Sequence, residues 1–316
     1  MDTISIRPGR LDDVAVVADI RNALWQGLAG HPVAAPDQIH LEWQTSGFDI
    51  ARRVGLAVDA RGEIAGYVWL TSLGARSVRM VLAVRDGEGS RAAREALLDW
   101  GEARGREVAA DDAADGPLTV YVSVAPGDAG TTAALEDRGY SLYRVSLEMR
   151  IGLDAPPPPQ WPAGVTLRSL CADGMDSAVH AALSAAFETN WEGDRVPPFE
   201  TWRSETLADV GYDPGLWVVA VADGGKVAGA IGGTRFWRGQ VGVGGLFDFG
   251  VRPAWRGQRL GRAILLQALR QFHKRGYRTA ALRVDAHNAP AVHLYESVGM
   301  RCAWRLPTYT REILPD

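Results

Sequence analysis

Val251-Arg252-Pro253-Ala254-Trp255-Arg256-Gly257-Gln258-Arg259-Leu260-Gly261-Arg262-Ala263 decides how this chain folds. The glycine-rich, apolar run 241–251 before it reads as a strand. Pro253, with no N–H to give a ladder, stops that strand. Beyond it Leu260, Ile264, Leu265, Ala268, Leu269 and Phe272 recur with helical period over Gly257–Arg275, and Gly276 ends the helix. A strand that passes into a helix through a glycine turn leaves backbone N–H groups unpaired at the helix's positive end. Glycine lets a ligand approach them without a Cβ in the way. These are the parts of a phosphate cradle. The charge agrees: eight Lys or Arg fall from Arg252 to Arg278, and no Asp or Glu lies between Asp248 and Asp285. The glycine spacing is not the dinucleotide fingerprint. The alternative is a solvated basic helix behind a glycine turn.

Strand and helix signals surround this stretch in a repeated order. After it come a strand at Thr279–Val284, a helix at Pro290–Val298 closed by Gly299, and strands at Met300–Leu306 and Thr308–Ile313. Before it come a strand at Val165–Leu170, helices at Met175–Thr189 (Asp173 a candidate N-cap) and Phe199–Asp209, and a hairpin of Leu216–Ala222 with Val227–Trp237. The first half follows the same sequence: Ile4–Arg7, helix Leu11–Leu28, hairpin Gly55–Asp59 with Ile64–Thr71, strand Val78–Val84, helix Arg91–Arg104, strand Leu118–Val124, helix Thr131–Arg138, strand Ser141–Ile151. Gly139 and Gly299 stand at matching places, so the chain is an internal duplication with a period near 160 residues. Pro156–Pro159 forces an extended segment. The predicted domains are 1–151 and 164–316, joined by a Pro-rich linker at 152–163, with an exposed acidic loop at 109–116.

Composition narrows the function. At 316 residues the length suits two domains. A 47% hydrophobic and 23% charged chain can bury a core and is not disordered throughout. No apolar run of about 20 residues predicts a membrane span. The polar start, Met1 to Arg10, does not read as a secretory signal, and Cys171 and Cys302 read as reduced thiols, so the expected place is the cytoplasm. A net charge of −4 argues against nucleic acid as a partner. That charge is uneven, −7 over 1–155 and +3 over 156–316, which points to the second half for an anionic ligand. The six histidines show no metal-ligand spacing, so no metal is expected.

The stretch Pro253 to Ala263 resembles the acetyl-coenzyme A loop of the GCN5-related N-acetyltransferases (GNAT). The later stretch Leu282-Arg283-Val284-Asp285-Ala286-His287-Asn288-Ala289-Pro290-Ala291-Val292-His293-Leu294-Tyr295-Glu296-Ser297-Val298-Gly299-Met300 resembles that family's second signature. The resemblance covers the second half and implies two tandem α/β (α+β) domains, each a mixed sheet flanked by helices. It implies acetyl transfer from acetyl-CoA to a primary amine, most simply of a small molecule, by direct attack in a ternary complex. The tandem layout resembles mycothiol synthases and, more loosely, antibiotic- or polyamine-acetylating enzymes. The competing class is a non-catalytic module that binds coenzyme A or a partner. The oligomeric expectation is a monomer or homodimer.

The resemblance also implies roles. The pyrophosphate would lie on backbone N–H groups of Arg256, Gly257, Gln258, Arg259, Leu260, Gly261 and Arg262. Arg259 stands where the family usually has Gly; an arginine there is expected to take an ordinary φ and to reach a phosphate. A backbone N–H around Phe249, Gly250 or Val251 would meet the thioester carbonyl. Tyr295, protonated at neutral pH, would be the general acid. Asn288 either holds the cofactor or caps a helix. Asp248, among apolar residues that would raise its pKa, either takes the acceptor's proton or anchors its ammonium. Glu188 and Glu192 are weaker bases. Trp191, Glu192 and Asp194 either select the substrate or are plain loop residues. His287 and His293 read as solvent-facing. In the first half Leu135 falls on Tyr295, Asp128 on Asn288, and Asp86 and Glu88 fall where phosphates would sit, in a turn about one residue short. That half is expected to keep the fold without the chemistry.

Overall fold

The computed structural model describes residues 4–29, 34–44, 48–74, 76–109, 116–170, 174–188, 196–209, 211–237, 240 and 242–314. By internal contacts the chain divides into two units, 1–146 with 305–316, and 147–304. The last strand of each half therefore serves the other unit's sheet, a division that composition alone does not announce.

The first unit runs β1 (Ser5–Pro8), α1 (Val14–Ala29), α2 (Pro36–Trp43), α3 (Ile50–Arg53), β2 (Val54–Val58), β3 (Ile64–Gly74), β4 (Ser77–Val84), α4 (Ser90–Ala109), β5 (Leu118–Ser123) and α5 (Ala129–Asp137), with β6 (Ser141–Gly152) leading out of it. Strands β1 to β4 form an antiparallel meander and β4 pairs β5 in parallel. The second unit runs β7 (Val165–Arg168), α6 (Met175–Phe187), α7 (Phe199–Ala208), β8 (Val218–Ala222), β9 (Val227–Thr234), β10 (Val243–Val251), α8 (Leu260–Lys274), β11 (Thr279–Asp285), α9 (Ala289–Ser297) and β12 (Arg301–Ile313). It repeats the pattern: β7 to β10 antiparallel, β10 to β11 parallel. Residues 305–313 of β12 complete the first sheet beside β5, and 147–152 of β6 complete the second beside β11.

Each unit is a mixed sheet carrying helices, as the sequence predicts. The expected two final strands are one. Pro307 lacks an N–H, but its carbonyl stays in the ladder and accepts from Val124 N–H at 3.0 Å. Helices α2 and α3 escape a periodicity reading because they span only eight and four residues. The Asp173 cap and most of the acidic loop at 109–116 lie outside the described residues.

Helix α8 explains why the second unit is organised around the quoted stretch. Leu260, Ile264, Leu265, Ala268, Leu269 and Phe272 are all buried. Each large apolar side chain on that stripe contributes about 1.5–3 kcal/mol by leaving water. Phe272 lies directly on Gly244 of β10, so any side chain at 244 would displace the ring. The basic face points away from this core. Its Arg270 donates to Pro156 O at 3.0 Å, and Leu153 N–H donates to Arg278 O at 2.9 Å, which ties the start of the linker to the second unit.

Candidate active site

Parallel pairing of β10 with β11 runs only from Val243/Thr279 to Leu246/Leu282. Beyond that the two strands run on, to Val251 and Asp285, without pairing each other, and open a wedge. The cause is local. Between Phe247 and Gly250 the β9–β10 register slips, so that Asp248 and Phe249 together face Ile231. Asp248 takes φ 46° in this bulge. A bulge adds a residue with no ladder partner and bends its strand. Gly250 and Val251 resume their pairing with Ala230 and Gly229 of β9, so Asp248 and Phe249 are the residues of this segment set outside the β9–β10 register.

The wedge ends at the α8 turn. Gly257 has φ 74° and Arg259 has φ 62°, ψ 8°. Arg259 thus keeps the left-handed conformation that glycine usually supplies, against the expectation of an ordinary φ. The chain must reverse its curvature to enter α8, and the helix's burial holds Arg259 there at a cost of about 1–2 kcal/mol. The first backbone bond of α8 runs from Ala263 N–H to Arg259 O, so the amides of 259–262 precede the ladder and are available to an anion. The amide of Arg256 is already bonded, to Pro253 O at 3.1 Å. Leu260 is buried and offers only its backbone.

The arginines divide into structural and available groups. Arg252 donates to Val227 O at 2.8 Å. Arg256 donates to Ala186 O at 2.7 Å and Val251 O at 3.2 Å. Arg262 donates to both the carbonyl and hydroxyl of Ser297 at 2.8 Å, closing the C-terminus of α9. Gln258 bonds Ala254 O. Among the described residues, Arg259 is the arginine of this turn whose guanidinium carries no protein bond, and it is exposed.

Helix α9 brings the second signature to the wedge. Tyr295 is buried, and its ring centroid lies 6.1 Å from that of Phe249. Burial pushes the phenol pKa up, so the group keeps its proton at neutral pH. At the mouth, Gly261 approaches so closely that a Cβ there would lie 3.3 Å from Leu294 and 3.7 Å from Phe249. Asn288 is a helix cap: its Oδ1 accepts from Ala291 N–H at 3.2 Å. Asp128 caps α5 in the same way. His287 and His293 are exposed.

Asp248 sits beside residues the sequence reading did not select. Trp202 of α7 donates its indole N–H to Asp248 Oδ2 at 2.7 Å. Burial pushes the Asp248 carboxyl above its usual range; the indole bond pulls it back, the charge of Glu205 pushes it further up, and His180 opposes that. Glu188 caps the end of α6 and is exposed. Trp191, Glu192 and Asp194 lie outside the described residues. No group of three His, Cys, Asp or Glu among the described residues is placed to hold a metal.

The first unit keeps a left-handed turn before its long helix, with Gly87 at φ 132° and Gly89 at φ 80°, but lacks the bulge and the tyrosine. Its β3–β4 register runs unbroken from Leu70/Met80 to Gly66/Val84, without a bulge. The turn before α4 spans five residues, 85–89, against eight, 252–259, before α8, a larger deficit than the single residue expected. Leu135 is fully buried at the place of Tyr295. Arg94, itself buried, donates to Thr131 Oγ1 at 3.1 Å, and its guanidinium fills the space over Gly130 at the start of α5.

A family model for acetyltransferases of the GNAT family matches residues 177–300. A mycothiol acetyltransferase of Thermomonospora curvata is 30% identical over 73% of this chain and 81% of its own. The chain belongs to the GNAT family. Within that family, a mycothiol acetyltransferase of Acidothermus cellulolyticus is 32% identical over 52% of this chain, and the match spans about half of that relative's length (53%). A GNAT protein of Sphaerobacter thermophilus has a solved structure that superposes with a TM-score of 0.83 at 28% identity, covering 99% of this chain and 96% of that one. No helix among the described residues of this GNAT chain is long and apolar enough to cross a membrane.

Proposed function

We propose that this chain is an acetyl-CoA-dependent N-acetyltransferase for a primary amine of a small molecule, with the reaction in the second unit. The carrying observation is that the β10 bulge, the left-handed α8 turn and Tyr295 converge on one wedge, while the first unit has a left-handed turn before α4 but neither the bulge nor the tyrosine. When bound, acetyl-CoA supplies an activated acetyl thioester. The amides of 257–262 and the Arg259 guanidinium hold its phosphates, and the wedge receives the thioester arm. Asp248 takes a proton from the acceptor's ammonium, which frees the nitrogen lone pair to form the new C–N bond. A backbone N–H near Phe249 donates to the carbonyl oxygen as charge collects there. As the C–S bond breaks, Tyr295 gives its hydroxyl proton to the sulfur, and the surplus proton on the newly bonded nitrogen passes through water to restore the phenol. The names of the relatives make the unacetylated form of mycothiol the first acceptor to try.

Two measurements test this. Calorimetric titration with acetyl-CoA is expected to give one site per chain; two equal sites would remove the assignment to the second unit. A thiol-release assay with the unacetylated form of mycothiol, cysteine methyl ester, glucosamine and spermidine is expected to find an acceptor. Tight acetyl-CoA binding with no release from any amine would favour the non-catalytic module.

A further inference from the structure

We propose that Trp202 is a positioning residue for this reaction, its indole N–H fixing the orientation and ionisation of the Asp248 carboxylate at the β10 bulge. The inference rests on the reading of Asp248 as the acceptor's base. The bond from Nε1 to Oδ2 is 2.7 Å, the length of a charge-assisted hydrogen bond. It engages Oδ2; the other oxygen, Oδ1, is the one assigned to the acceptor.

The indole is locked. Trp202 is 4% exposed and stands edge-on to the fully buried Trp217, with centroids 5.8 Å apart and planes at 89°. Trp217 in turn stands edge-on to Phe247, the residue before Asp248, at 5.4 Å and 90°. Phe199 lies alongside Trp202 at 6.4 Å, and His180 at 5.5 Å. The ring cannot turn its N–H elsewhere without breaking this series. The bulge holds the backbone of Asp248 and the indole holds its side chain, so the carboxylate has one place to be. Mutual fixing of this kind is what proton transfer at hydrogen-bond distance requires.

The charged and titratable neighbours of Asp248 set the expected sign. Glu205 on α7 disfavours its ionised form, and His180 on α6, whose Nε2 lies 2.8 Å from Pro197 O, favours it. The indole N–H favours the ionised form as well. Removing that donor therefore raises the pH at which the base becomes available.

The test compares Trp202→Phe with Trp217→Phe. Both shave the same aromatic series, but only the first removes a donor to Asp248. The pH profile of kcat/KM, measured with the fastest amine of the panel above, is expected to move its acidic limb up by about one unit in Trp202→Phe. That is about a tenfold loss below the limb, for a hydrogen bond to a charged group. The KM for acetyl-CoA is expected to hold, and Trp217→Phe is expected to leave the limb in place. An unmoved limb in Trp202→Phe, with Asp248→Asn inactive, would reduce Trp202 to core packing and leave the base reading standing. Full activity in Asp248→Asn would overturn both. Should Trp202→Phe fail to fold, the wild-type protein still decides. Its Trp202 indole N–H resonance, identified by its displacement in Asp248→Asn, is expected to titrate with the midpoint of the limb. A resonance flat across that range refutes the proposal.

Discussion

Replacing Arg259 by glycine and by alanine separates the two things this residue does. Its backbone sits at φ 62°, which a non-glycine residue holds at a cost of about 1–2 kcal/mol. Glycine removes that cost but loses about 0.5–1 kcal/mol more conformational freedom on folding. The balance makes Arg259→Gly more stable by about 0.5–1 kcal/mol, a rise in Tm of about 1–4 °C for a unit of this size. Alanine keeps the strain, so Arg259→Ala should stay within about 0.5 kcal/mol of wild type. Both variants lose the guanidinium, which no protein bond holds among the described residues. An exposed guanidinium on a phosphate contributes about 1 kcal/mol, and each variant should bind acetyl-CoA about fivefold more weakly at low salt. The gap should narrow as salt rises. Thermal unfolding and calorimetry at two ionic strengths read all of this. Wild-type affinity in both variants, or a lower Tm in the glycine variant, would refute the reasoning about this turn.

Tyr295→Phe should lower turnover by about 10²–10⁴-fold while acetyl-CoA affinity stays nearly constant, measured by steady-state kinetics beside calorimetry. Gly261→Asp should abolish acetyl-CoA binding without unfolding the protein: its side chain enters a space already closed by Leu294 and Phe249, and it sets a carboxylate against the phosphates, yet an acidic residue in a helix's first turn is favourable. Asp13, accepting two bonds from Arg7 at 2.6 and 2.8 Å, is pushed up by burial but pulled further down by Arg7 and the Arg10 amide, so its pKa lies below the usual carboxylate range. A depressed carboxylate stabilises the fold above its unfolded pKa of about 3.9 and loses that as pH falls through its folded value. Arg7→Leu should therefore cost about 1–2 kcal/mol at neutral pH in denaturant unfolding, and the difference should vanish in strong acid.

Periodicity made α8 legible, because six apolar side chains on one stripe have no other use, and it carried the glycine turn with it. What it did not carry is anything decided between strands. The bulge depends on how β9 meets β10, and nothing in Phe247-Asp248-Phe249-Gly250 marks it. The conformation of Arg259 follows from the angle at which the chain must enter α8, which outweighs the side chain's own preference. Trp202 and Asp248 lie 46 residues apart, on a helix and a strand that meet only in the folded unit. The exchange of final strands was hidden for the same reason: β6 and β12 alternate as any sheet strand does, and alternation does not say which sheet.

The duplication gives the comparison its force, because two copies of one fold can be set against each other within a single chain. They share the meander, the parallel pair and the capped helix at Asp128 and Asn288. They part at the fifth residue of the long helix, Arg94 in α4 and Ile264 in α8. In the second unit Ile264 joins the core. In the first, the buried Arg94 is held by Thr131 and lies 3.9 Å from Asp128, so the unit carries its own cation where an anion would otherwise be drawn. Returning a tyrosine at Leu135 would not restore a site there. The turn would still be three residues short, the β4 pairing still closed, and Arg94 could not leave without stranding Asp128. On the proposed assignment of the reaction to the second unit, several coordinated changes would be needed to build a like site in the first.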